Sequence, residues 1–230
     1  MSFKYTLYFN KTGRMTFLSH LDLLRLFERA LRVAKIRIEY TEGFHPHPKI
    51  IFAQPLSLGY IGKNEIVDLT LKEDFRENEI LERLNKVLPD GISILNVEKS
   101  AEAYGNFASR VEAAEYKIWI PLSDEEESQY FINRIDDFVG QEKIEIEKRT
   151  KKTKKTGEMK LVDIKPSILK LTGCNDETNV VELSATLDCG SKSNLSPELL
   201  IKSLLSFLGL DVKRSEIDVS RESLIFSHTK

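Results

Sequence analysis

From Phe3 to Val97 the hydrophobic period switches between two and about 3.6 residues in one order, and that order limits the folds open to the chain. Phe3, Tyr5, Leu7 and Phe9 alternate with Lys4, Thr6 and Tyr8, the mark of a strand with one buried face. Lys11-Thr12-Gly13-Arg14 then reads as a turn. The spacing of Leu23, Leu24, Phe27, Leu31 and Ala34 predicts a helix over His20–Ala34, with Ser19 placed to cap it and Asp22 to complete a capping box. Strands follow at Ile36–Tyr40, Ile50–Leu56 and Glu65–Leu71, a helix at Asn78–Leu88, and a strand at Ile92–Val97. Between the first two of these strands, Gly43, Pro46 and Pro48 impose an extended loop on Glu42–Lys49.

The switch recurs further along. A strand is predicted at Tyr116–Ile120, an acidic helix at Ser123–Phe138 and strands at Ile144–Lys148, Ser167–Thr172 and Val180–Leu187. Pro197 opens a helix that runs to Leu208 and stops at Gly209. A last strand is placed at Val212–Val219, with a short addition at Ser223–Phe226. The expectation is an α+β protein of two tandem ferredoxin-like (βαββαβ) units with antiparallel sheets: residues 1–100, a linker at 101–113, and residues 114–230.

The chain has 230 residues, enough for two small cores, and 30% are charged, which is ordinary for a globular protein. The net charge of −2 means that any nucleic-acid surface must come from local asymmetry. Such asymmetry exists. Met1–Ile50 holds nine Lys or Arg against four Asp or Glu, a local net of +5. Cys174 and Cys189 make no CxxC pair, so two reduced thiols are expected. No apolar run reaches the roughly 18 residues of a membrane span, and MSFKYTLYFN is a strand pattern rather than a signal peptide, so the expected location is cytoplasmic.

Three segments carry the candidate chemistry. In the predicted first helix, Arg25, Arg29 and Arg32 share a face, with Arg14 before it and Lys35 and Arg37 after it. The start of that helix, with Ser19, His20 and the free N–H groups of the first turn, is a potential anion seat. In the His-Pro-His-Pro loop, the prolines hold His45 and His47 out of helical conformation, and Lys49 follows. If the loop folds over the helix start, His20, His45, His47 and Asp22 converge in a set that suits a metal or acid–base chemistry. No spacing commits them to a metal, and no cofactor is assigned. The third segment, Glu147–Lys160, carries Lys151, Lys152, Lys154 and Lys155 and reads as an arm for an RNA backbone or a solubilising loop. The glycines form no phosphate loop and no nucleophile elbow is present.

The segments KTGRMTFLSHLDLLRLFERALRVAKI (Lys11–Ile36), EGFHPHPKIIFAQPLSLGY (Glu42–Tyr60) and VDIKPSI (Val162–Ile168) resemble the radical-SAM-linked family. That is a bacterial domain of unknown function, found alone or fused behind a radical-SAM, cobalamin-binding protein. The resemblance implies a radical-SAM, cobalamin-binding partner. Where the family often has Asn after the Gly-Phe pair, this chain has His45. It has no CxxxCxxC cluster motif of its own. The expected function is an accessory protein that presents a basic face to RNA or another phosphate-bearing substrate. The alternatives are an enzyme using His20, His45 and Asp22, and a protein–protein adaptor using the acidic helix.

Overall fold

The computed structural model describes residues 2–99, 107–148, 159–175, 179–190 and 193–227. The chain divides into two compact units, residues 1–111 with 220–230 and residues 112–219. The architecture is mixed α+β with mostly antiparallel strands.

Unit 1 is built from β1 (Phe3–Lys11), α1 (His20–Val33), β2 (Ile50–Phe52), β3 (Ile61–Leu71), α2 (Glu77–Asn85), β4 (Ile92–Lys99) and the short α3 (Phe107–Arg110). Its strands lie in the order β4-β1-β3, with β2 on the far side of β3, and every one of these pairings is antiparallel. The alternation of β1 sends Tyr5, Leu7 and Phe9 inward, where they meet the buried face of α1, Leu23, Phe27, Ala30 and Leu31. Phe9, Phe27 and Phe52 pack edge to face with centroids 5.1 to 5.9 Å apart. Burying side chains of this size contributes about 1.5–3 kcal/mol each. Ser19 caps α1 as expected: its Oγ accepts from the Asp22 N–H. The capping box is altered, because the Asp22 carboxylate accepts from Ser19 Oγ at 2.6 Å.

Unit 2 holds β5 (Val111–Pro121), α4 (Glu125–Asn133), α5 (Ile135–Gly140), β6 (Glu145–Lys148), β7 (Lys160–Asp163), β8 (Ile168–Asn175), β9 (Val180–Asp188) and α6 (Pro197–Leu208). β9 pairs antiparallel with β5 and β8, while β6 and β7 form a separate two-stranded ribbon. The inward side of α6 is Leu200, Ile201, Leu204, Leu205 and Leu208. Gly209 ends the helix at φ +70°, a conformation that glycine takes without strain. The last strand, β10 (Asp218–Phe226), begins in unit 2 and enters unit 1, where Ser220 and Arg221 pair in parallel with Ile61 and Gly62 of β3.

Several expectations need correction. β1 runs through Lys11 rather than stopping at Phe9. The segment 36–40 makes only isolated bridges, Ile38 with Leu71 and Tyr40 with Pro48, and a proline cannot donate to a ladder. β2 ends at Phe52 rather than Leu56, and beyond it the carbonyls of Gln54 and Pro55 accept from Arg221. The acidic helix is interrupted at Arg134, between α4 and α5. Part of the expected linker is structured: 107–110 form α3, and β5 starts at Val111 with Val111 and Ala113 buried. The final strand starts at Asp218, after a 3-10 turn at Arg214–Glu216. Residues 220–230 lie in unit 1, although the sequence pattern assigns all of 114–230 to the second unit. Both cysteines are free, Cys174 exposed and Cys189 buried. Among the described residues, no helix is long and apolar enough to cross a membrane.

Candidate functional site

Two sites of different character lie on unit 1. The first is the outer face of α1. Arg25, Arg29 and Arg32 are all exposed along it. Arg25 pairs with Asp22 at 3.3 Å and Arg32 with Glu28 at 3.4 Å, both loosely and in solvent, where such pairs contribute little. Arg29 has no ion pair among the described residues. Beyond the end of α1 a groove of about 510 Å³ opens, with four cations at its walls, Arg32, Lys35, Arg37 and Lys72, against Glu28 and Glu73. Arg37 meets Glu73 at 3.3 Å. Lys35 is held at φ +57°, where a side chain is disfavoured, as the residue that turns the chain out of α1.

The His-Pro-His-Pro loop is a closed hairpin. Thr41 N–H donates to the His47 carbonyl at 2.8 Å, His47 N–H to Thr41 Oγ1 at 2.9 Å, and Lys49 N–H to the Glu39 carbonyl at 2.7 Å. The Lys49 ammonium is 2.9 Å from the Glu39 carboxylate and holds it below the usual carboxylate range. His45 and His47 are exposed, and Phe44 at the tip is fully exposed. The base of the loop sits beside the middle of α1, because Tyr40 Oη donates to Glu28 at 2.8 Å. The chain reaches the helix start only at Phe52, whose ring meets His20 with centroids 5.3 Å apart. The expected convergence of His20, His45, His47 and Asp22 is therefore not found. Among the described residues, no three His, Cys, Asp or Glu side chains are placed to hold a metal. Arg14 is exposed, in the 3-10 turn Gly13–Phe17. Lys151, Lys152, Lys154 and Lys155 lie outside the described residues.

The second site is not foreshadowed by any motif. Beneath the start of α1, Lys11 is only 1% exposed, and its ammonium donates to the Leu18 carbonyl at 3.1 Å. Burial lowers its pKa below the ordinary lysine value, with Arg221 acting in the same sense and Glu65 opposing. Lys11 and Arg221 flank Gly62 on the two sides of β3. A Cβ at Gly62 would stand 2.6 Å from Glu65 Cγ, so glycine is required for the Glu65 side chain to fold back over the strand. Glu65 there receives Arg221 in a bidentate pair, Nε at 2.8 Å and Nη2 at 2.5 Å, and Arg221 is 2% exposed. One signal for Lys11 is present in the sequence, since it continues the inward series Phe3, Tyr5, Leu7, Phe9 by one more step of two. Glu65 and Arg221, 156 positions apart, carry no such signal.

Fold and site together define a mixed α+β protein with an exposed basic face and a buried charge cluster in one unit. A family model matches residues 4–197, and the chain belongs to that family, described as an uncharacterized protein conserved in bacteria (DUF2344). No curated protein matches the chain. Among solved structures, the chain is similar to one in the crystal structure of a Cbf5-Nop10-Gar1 complex, with 11% identity and a TM-score of 0.51 over 96% of this chain. It spans about half of that longer chain, 48%. It is also similar to an unknown protein from Galdieria sulphuraria, with 12% identity over 98% of this chain and 99% of that one, at a TM-score of 0.29.

Proposed function

We propose that the protein is an accessory binding protein whose α1 face and adjoining groove take the phosphate backbone of RNA, working beside a radical-SAM, cobalamin-dependent enzyme. The observation that carries the RNA half is the surplus of cations around the groove. Lys35 and Lys72 line it with no carboxylate in ion-pairing reach among the described residues, and Arg29 extends the line along α1. Exposed cations of this kind bind phosphates by releasing counterions, without sequence preference. The partner rests on the resemblance of Lys11–Ile36 and Glu42–Tyr60 to radical-SAM-linked proteins. The fold behind the face is read as ferredoxin-like, since the order β4-β1-β3-β2 with α1 and α2 as crossovers is that of a split βαβ unit. An enzyme built on His20, His45 and Asp22 has less support, because the loop bearing His45 is anchored away from the helix start.

RNA binding measured at two salt concentrations tests this. The triple variant Arg29→Ala, Lys35→Ala, Lys72→Ala is expected to weaken binding. It should also reduce the slope of log K against log salt by roughly 0.7 for each phosphate that is no longer neutralised. Unchanged affinity and slope would show that the face is not used. Failure of the radical-SAM protein to co-purify would remove the accessory role alone.

A further inference from the structure

On the reading that the α1 face and its groove take RNA, we propose that this RNA is single-stranded and that Phe44, at the tip of the His-Pro-His-Pro hairpin, is the platform on which one of its bases stacks. The ring of Phe44 is fully exposed, and the side chains beside it, Glu42, His45 and His47, are exposed as well. An aromatic ring in this position buries nothing within the fold, so its presence is not explained by packing.

The hairpin holds the ring out instead of letting it fold back. Thr41 and His47 close the neck through two hydrogen bonds, Lys49 N–H donates to the Glu39 carbonyl, and Pro46 and Pro48 fix their own φ angles. A platform prepared in this way loses little conformational freedom when a base lands on it. The hairpin also springs from the cationic groove. Tyr40, just before the neck, lines that groove with Arg32, Lys35, Arg37 and Lys72. Phe44 is three residues beyond Thr41, hence no more than about 11 Å from the neck. Tyr40 is itself 39% exposed, with its hydroxyl tied to Glu28, so a second ring face is open where the phosphates would lie. Cations that follow a backbone beside exposed aromatic faces are the pattern of single-strand binding. In a duplex the base faces are covered by their neighbours and cannot reach Phe44. Between Thr41 and His47, Phe44 is the one large apolar side chain, set among Glu42, His45 and Pro46. A membrane anchor or a protein docking patch draws on apolar area from several residues, whereas a base needs a single ring.

The test uses the full chain and a labelled RNA of about 12 nucleotides, alone and annealed to its complement. The wild type is expected to bind the single strand more tightly than the duplex. Phe44→Ala is expected to weaken single-strand binding roughly fivefold or more, to leave duplex binding unchanged, and to keep the salt slope, since no charge is removed. Phe44→Trp is expected to restore the affinity. Its indole fluorescence should be quenched by the single strand beyond any change that Trp119 shows in the wild type. Single-strand affinity untouched by Phe44→Ala, equal losses for strand and duplex, or tighter duplex binding by the wild type would each overturn the proposal. Binding that is lost in the triple variant Arg29→Ala, Lys35→Ala, Lys72→Ala but unchanged in Phe44→Ala would remove the platform and keep the basic face. A wild type that binds neither RNA would remove both.

Discussion

Each unit contains an arginine that grips a glutamate with two nitrogens, and the two pairs differ mainly in solvent. In unit 1, Arg221 and Glu65 are 2% and 6% exposed, and Arg221 also donates to the carbonyls of Gln54 and Pro55. In unit 2, Arg214 holds Glu198 at 2.6 to 2.9 Å with side chains 41% and 44% exposed. The exposed pair competes with water and salt, so its net contribution is small. The buried pair has lost its water, and each partner depends on the other. Burial thus turns a dispensable surface pairing into a condition of folding. It also sorts the cations of unit 1. Arg221 is committed to the fold, whereas Arg29 and Lys35 are exposed and have no ion pair among the described residues.

The largest effect should come from breaking the buried pair alone. Glu65→Ala leaves Arg221 buried without its counter-charge and is expected to cost about 3–5 kcal/mol, against less than about 1 kcal/mol for Glu198→Ala. The midpoints of denaturant unfolding compare the two, and equal losses would dissolve the contrast.

A buried hydroxyl extends the contrast to pH. Tyr5 is fully buried in unit 1, with its hydroxyl donating to Asp74 at 2.7 Å and accepting from Phe75 N–H at 2.8 Å. Burial and then the Asp74 carboxylate push its pKa up to about 12 from an ordinary 10. A pKa raised on folding gives stability that is complete below pH 10 and lost as pH rises towards 12. Tyr5→Phe is expected to make this alkaline loss shallower and to cost roughly 1 kcal/mol at neutral pH. Thermal melts across that range would show it, with Tyr8, also near 12, continuing to contribute.

The smallest effect belongs to the exposed groove. Lys35→Gly relieves a side chain at φ +57° and is expected to raise stability by about 0.5–1 kcal/mol. It also removes one groove cation, so RNA binding should weaken as the fold strengthens. Stability and binding that move together would argue against a ligand-binding role for Lys35.

Parts of this molecule are readable from local pattern. The alternation in Phe3–Phe9 places the inward face of β1, the stripe from Leu23 to Ala34 places the inward face of α1, and Ser19 announces its cap. The exposed line of Arg25, Arg29 and Arg32 follows from helical spacing. The histidine constellation is not so readable. Whether His45 meets His20 depends on where a hairpin closes, and Tyr40, Thr41 and Glu28 decide that. Lys11 lies between the two cases: its alternation continues inward, but its charge argues for a turn.

Properties that travel along the chain are therefore set before any folding: periodicities, caps, the charge excess of the first 50 residues, and the stiffness of Pro46 and Pro48. Which charges lose their water is settled only in three dimensions. A lysine at the end of β1, a glutamate on β3 and an arginine 156 residues after that glutamate become one cluster because β10 returns to pair beside Gly62. No period in a sequence records such a meeting, since the energy that makes it tolerable arises only when the three are buried together.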